Sequence, residues 1–122
     1  MAAYAIAIVR RVTLGDAIAR YLQHIDATLE PFGGRYLVHG GAHERLEGDF
    51  DGHVVLIQFP DLDRARAWYR SPAYQAIVGL RTQSSDGDTL LVDGVREGHR
   101  ATDLLAPLGL AASARDEQRA DA

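Results

Sequence analysis

Two short runs decide most of what this chain can become: Ala3 to Val9 (AYAIAIV) and His53 to Phe59 (HVVLIQF). Their length and β-branched content read as strands rather than helices. Both are apolar on both parities. Ala5, Ala7 and Val9 alternate with Ile6 and Ile8, and Val54 and Leu56 alternate with Ile57 and Phe59. A strand of this kind needs cover on both of its faces. The fold must therefore supply a layer on each side of the sheet.

The rest of the chain supplies one such layer. Thr13-Leu-Gly-Asp16 has the spacing of a capping box, with Asp in place of Glu, and predicts a helix start. Ile18, Tyr21, Leu22, Ile25, Leu29 and Phe32 then recur at helical spacing until Gly33-Gly34 ends the helix. Arg35 to His39 (RYLVH) reads as a second strand, and Gly40 to Gly52 as a solvated hairpin connection. After the His53–Phe59 strand, Pro60-Asp61 opens a helix with Ala65, Trp68 and Tyr69 on one face. Ser71-Pro72 interrupts it, because proline disfavours the α conformation just before itself and suits a first helical turn. Ser71 is expected to cap a second piece to about Gln83, carrying Tyr74, Ile77, Val78 and Arg81 on one stripe. Ser84 to Asp88 reads as a turn and Thr89 to Val95 as the last strand.

The order is β-α-β-β-α-β, the split βαβ or ferredoxin-like arrangement of the α+β class, with an antiparallel sheet and its helices on one face. Those helices cover a single face. A second copy of the same sheet, packed across a two-fold axis, would cover the other. The expectation is a homodimer, a dimeric α/β barrel. Residues 1–96 form this domain and 97–122 a C-terminal extension. In the extension TDLLAPLGLAA reads as a short docking helix and ASARDEQRADA as disordered.

Composition narrows the function. The net charge is -4 and the chain lacks a cluster of basic residues, which argues against nucleic acid and against an anionic membrane surface. No apolar run approaches the roughly 20 residues that span a bilayer. The apolar start precedes its basic residues, the reverse of a secretory signal, so a cytoplasmic protein is expected. Cysteine is absent, which removes disulfides, thiolate metal sites and a cysteine nucleophile. There is neither a phosphate loop nor a dinucleotide fingerprint.

The stretches GGRYLVHGG, LEGD, VVLIQFPDLDRARAWYRSPAYQAI and DGDTLLVDGV resemble the family known as domain of unknown function 1330. The resemblance covers roughly Ala3 to Val95. Its signature falls on Phe59, Pro60, Ala67, Trp68, Tyr69, Ser71, Pro72, Tyr74 and Gln75. It implies membership of the dimeric α/β-barrel superfamily. That superfamily includes cofactor-independent monooxygenases, isomerases, decarboxylases, cyclases, chlorite-handling haem proteins and small ligand-binding modules. His39 stands where the family pattern more often has arginine or a small residue, and the segment after Val95 is longer than usual.

Candidate chemistry sits in a few residues. His39 and His43 with Glu44, Glu47, Asp49 and His53 could be taken for a metal cluster. The spacing crosses a strand end and a Gly-Gly turn, so no metal is expected and His43 reads as a solvated turn residue. His24, His39 and His53 are the default proton carriers. Arg35 and His39 share strand parity with Leu37, so a guanidinium and an imidazole are expected on one side of the sheet, Arg35 to anchor an anion and His39 to move a proton. Tyr21, Tyr36, Trp68, Tyr69 and Tyr74 would line a pocket with Arg81. The expected function is that of a small cofactor-free enzyme acting on an organic metabolite by acid–base chemistry, of isomerase, cyclase or lyase type. A non-catalytic ligand-binding module and a cofactor-free monooxygenase are the alternatives.

Overall fold

The computed structural model describes residues 1–110. Four strands, β1 (Ala3–Val12), β2 (Arg35–His39), β3 (His53–Phe59) and β4 (Ser85–Asp93), form one antiparallel sheet in the order β2-β3-β1-β4. Helices α1 (Asp16–Leu29), α2 (Leu62–Arg70) and α3 (Pro72–Thr82) cover one face. This is the ferredoxin-like α+β arrangement expected from the order of elements.

The helix starts show which local signals held. Asp61 caps α2, its side chain accepting from the Arg64 amide at 2.8 Å. Ser71 both ends α2 and starts α3. Its hydroxyl donates to the Trp68 carbonyl at 2.7 Å and accepts from the Tyr74 amide at 3.2 Å. The expected capping box at α1 does not form. Gly15 is the N-cap residue, without a side-chain cap, and Asp16 is already helical. Its carboxylate still sits in the first turn, where the helix dipole favours it. Gly33, at φ 72°, ends the short 3-10 turn after α1 in the left-handed region that glycine tolerates.

β4 begins earlier than the sequence indicates. Ser85 to Asp88, expected as a turn, pair with Val12 to Ile8 across a bulge between Val9 and Arg11. That extension carries two ion pairs, Arg10 with Asp88 and Arg11 with Asp86 at 3.4 Å. Gly87 fits there because a Cβ would lie 2.2 Å from the Ile8 carbonyl oxygen. After β4, the described part of the segment expected as a docking helix carries a short 3-10 turn (Ala101–Leu104) and no α-helix. The expectation of disorder for ASARDEQRADA lies outside the described residues.

The core lies between sheet and helices. Ala5, Ile57 and Phe59 meet Tyr21, Ile25, Leu29, Ala65, Trp68 and Tyr74, all buried. The other sheet face carries Ile6, Ile8, Val54 and Leu56, all half-buried, with Val38, Leu90 and Val92, which are exposed. Within the single chain it lies bare.

Candidate active site

The cavity lies between the helix-facing side of the sheet and α1, α2 and α3, and has a volume of about 290 Å³. Small side chains make room for it. Ala5 and Ala7 of β1 form its floor, where larger residues would fill the space. Its mouth is at the end of the sheet where β1 and β2 finish and β3 and β4 begin. Exposed Leu14, His39, Gly40 and His53 line it there.

The sheet wall carries Tyr36, His39 and His53. Tyr36 pairs with Ile57, Val38 with Leu56 and His39 with Val55, so Leu37, between Tyr36 and Val38, is extra and the register shifts there. This bulge reverses the alternation on which the Arg35–His39 expectation rested. Arg35 therefore leaves the His39 side. It pairs with Gln58, donates to the Gln58 side chain at 3.2 Å, and does not line the cavity. The partner that the bulge gives His39 is Tyr36. Their rings stack with centroids 4.2 Å apart and planes 5° apart. His53 stands two residues before Val55 on the same face, beside His39.

The helix wall carries Tyr21, Trp68, Tyr74 and Arg81. Tyr21 of α1 and Tyr74 of α3 join their hydroxyls at 2.7 Å, and Arg81 Nε donates to the Tyr74 oxygen at 3.4 Å. Burial, with the neighbouring Tyr74 oxygen, pushes the Tyr21 phenol well above its ordinary value. Burial, then the Asp26 charge, does the same for Tyr36. For Arg81 burial opposes the charge, but Tyr74 and Tyr21 outweigh it and hold the guanidinium above its ordinary value. Arg81 thus meets Tyr74, while Asp86 takes Arg11.

Trp68 is buried and donates from Nε1 to Thr28 Oγ1 at 3.0 Å, and Thr28 donates onward to the Ile25 carbonyl at 2.7 Å. Thr28 escaped the sequence reading. The available signal was a polar residue seven after Tyr21 on the buried stripe of α1. Tyr69, expected in the lining, instead stands behind it, with its ring 5.4 Å from Tyr74 and 6.1 Å from Trp68. His24 lies on the exposed side of α1 and bonds to the Arg20 carbonyl. His43 sits near Phe50 in the connection, away from the cavity. Among the described residues, no three His, Cys, Asp or Glu side chains converge as metal ligands.

The model of the family described as Domain of unknown function (DUF1330) matches residues 2–95. This chain belongs to that family. The DUF1330 match spans the whole sheet, the three helices and every cavity residue named above. No curated protein matches the chain in sequence. Among solved structures, the methylated RPA0582 protein, from Rhodopseudomonas palustris, is 19% identical with a TM-score of 0.61, over 80% of this chain and 84% of that one. A dimeric ferredoxin-like protein of unknown function from Jannaschia sp. CCS1 is 18% identical with a TM-score of 0.52, over 79% of this chain and 100% of its own. SnoaB, a cofactor-independent oxygenase from Streptomyces nogalater, is 13% identical with a TM-score of 0.50, over 81% of this chain and 97% of its own. At such identities these likenesses establish the fold. Among the described residues, no helix is long and apolar enough to cross a membrane.

Proposed function

We propose that this protein is a small enzyme that binds an organic metabolite in the sheet–helix cavity and moves a proton on it, as an isomerase, cyclase or lyase does. The observation that carries the reading is the opposition of two walls across one apolar space. His39 and His53 stand on the sheet wall and the Tyr21–Tyr74 hydroxyl pair on the helix wall. An imidazole is the side chain best suited to accept or give a proton near neutral pH. A phenol held protonated opposite it can donate to the oxygen on which charge develops. Apolar surroundings strengthen both interactions.

The same reading takes the working form as a cytoplasmic homodimer. Its support is the bare apolar sheet face and the Jannaschia neighbour described as dimeric.

Proton transfer can be detected before any product is known. Purified protein is incubated in heavy water with a panel of enolisable aryl and alkyl ketones and keto acids, and deuterium uptake at the carbon beside the carbonyl is followed by NMR. The expected result is catalysed exchange for at least one panel member. Binding without exchange or turnover across the panel would favour a non-catalytic binding module. Oxygen uptake in the same panel would favour a cofactor-free monooxygenase; the Streptomyces nogalater neighbour is described as a cofactor-independent oxygenase.

A further inference from the structure

We infer that the cavity takes its ligand by an oxygen that carries or gains negative charge, held by the Tyr21 hydroxyl at the end of a hydrogen-bond chain whose direction Arg81 fixes. This rests on the reading of the cavity as the ligand site and adds what kind of ligand it selects.

The direction follows from which groups can donate. A guanidinium has donors and no acceptor, so the contact between Arg81 Nε and the Tyr74 oxygen at 3.4 Å runs one way only. Tyr74 accepts there, and its own hydrogen must go elsewhere. Tyr74 also borders the cavity, but it is only 1% exposed against 7% for Tyr21, so its hydrogen has the poorer access to water there. Among the described residues, the other partner of that hydroxyl is the Tyr21 oxygen at 2.7 Å. Tyr74 therefore donates to Tyr21. The opposite order would turn the Tyr74 hydrogen toward the Arg81 N–H and leave it buried without an acceptor, which proteins avoid. Tyr21 is left with its hydrogen, and its side chain lines the cavity.

A chain that begins at a cation and ends at a hydroxyl hydrogen is polarised in one sense. Arg81 Cζ also lies 6.0 Å from the centre of the Tyr21 ring, so its charge stands beside the donor. A ligand oxygen at that point is favoured as it becomes more negative. An ammonium or a donor group meets a hydrogen and a positive field. Ala5, Ala7, Val55 and Ile57 make the middle of the facing wall apolar, with His39 and His53 at its mouth. The ligand is thus an apolar body, about one or two rings in a cavity of about 290 Å³, bearing a carboxylate, enolate or phenolate oxygen. In this scheme Tyr21 touches the ligand, and Arg81, which also lines the cavity, acts both through Tyr74 and through its charge beside Tyr21.

The test uses three compounds on one naphthalene frame: the carboxylate, the methyl ketone and the methylammonium. Binding is read from the indole N–H signal of Trp68, the single tryptophan of the chain, which lines the cavity. The carboxylate is expected to bind at least about tenfold more tightly than the ammonium, with the ketone between them. Tyr21→Phe should cut the preference for the carboxylate by at least about threefold while all three still bind, the remainder coming from the Arg81 charge. Arg81→Gln should reduce the preference for the carboxylate, and Arg81→Lys should restore most of it. A purely structural role for Arg81 would weaken all three compounds alike. Equal binding of the three by the wild-type protein would overturn the inference, as would an unchanged preference in Tyr21→Phe. If Tyr21→Phe does not fold, the wild-type preference and the Arg81 pair decide. If no compound moves the Trp68 signal, the cavity is not a ligand site, and this inference falls with that reading.

Discussion

The rings of Tyr36 and His39 lie parallel, with centroids 4.2 Å apart, across the bulge at Leu37. One extra residue in β2 thereby puts an imidazole and a phenol on the cavity side and sends Arg35 to the other. The stack and the proton chemistry can be separated by substitution. His39→Phe keeps a flat ring against Tyr36 and removes the ionisable nitrogens. It should leave the melting temperature within a few degrees of wild type, since His39 is exposed. Deuterium exchange on a responsive substrate should fall by about 10²–10⁴-fold, the usual contribution of a general base. Exchange at wild-type rate in His39→Phe would assign the proton transfer to another group, with His53 next in line.

The phenol of Tyr21 sets a limit on alkaline stability. Its pKa is raised in the folded chain by burial and by Tyr74, while in the unfolded chain it is an ordinary tyrosine near 10. The folded form therefore holds its proton longer. The stability linked to Tyr21 is fully present below pH 10 and is lost as pH rises above it, because the unfolded state then ionises first. Each tyrosine of this kind contributes a slope of up to about 1.4 kcal/mol per pH unit. Denaturant unfolding measured at successive pH values above 10 should show this fall, and Tyr21→Phe should show a shallower one. Parallel curves for the two proteins would contradict the assignment.

How much of this was legible in the sequence depends on whether the cause was local. The bounds of β2 and β3 follow from apolar runs ended by glycine and proline, and they match the structure. Ser71 caps as read, and Asp61 caps the helix that Pro60-Asp61 was read to open, because each cap needs only the next three residues. The failures have non-local causes. Ser85 to Asp88 look like a turn by composition and become strand because β1 runs on to Val12 and offers them partners. The Leu37 bulge is a fact about pairing with β3, and no pattern within RYLVH records it. Arg35 was misplaced for that reason. Tyr69 shares a helical face with Trp68 in projection, but in the packed helices it stands behind that ring.

Thr28 holds the cavity tryptophan in place. Its hydroxyl accepts from Trp68 Nε1 at 3.0 Å, in buried surroundings. Thr28→Val keeps the shape and removes the acceptor, leaving the indole N–H without a partner. The expected cost is about 1–3 kcal/mol, read as a lower denaturant midpoint at unchanged slope. The indole N–H resonance of Trp68 should also shift. Thr28→Ser, which keeps the oxygen, should recover part of the stability. A Thr28→Val protein as stable as wild type would show that the indole finds another acceptor.

The bare face of the sheet predicts the assembly state. Ile6 pairs with Leu56 on one side and Leu90 on the other, so these three form a row across the middle of that face. Ile8 with Val54, and Tyr4 with Gln58 and Val92, form the rows beside it. A contiguous apolar surface of this kind marks a site of association. In a two-fold dimer each substitution acts twice, because each protomer presents the same patch to its partner. Sedimentation should therefore show a dimer for the wild-type chain. Leu90→Asp should raise the dimer dissociation constant by well over about tenfold, since it sets two carboxylates into an apolar contact. Leu90 is 47% exposed within the single chain, so the same change should leave the fold of the protomer intact by circular dichroism. That difference separates loss of association from loss of folding. A wild-type chain that sediments as a monomer at micromolar concentration would show that this face meets something other than its own copy.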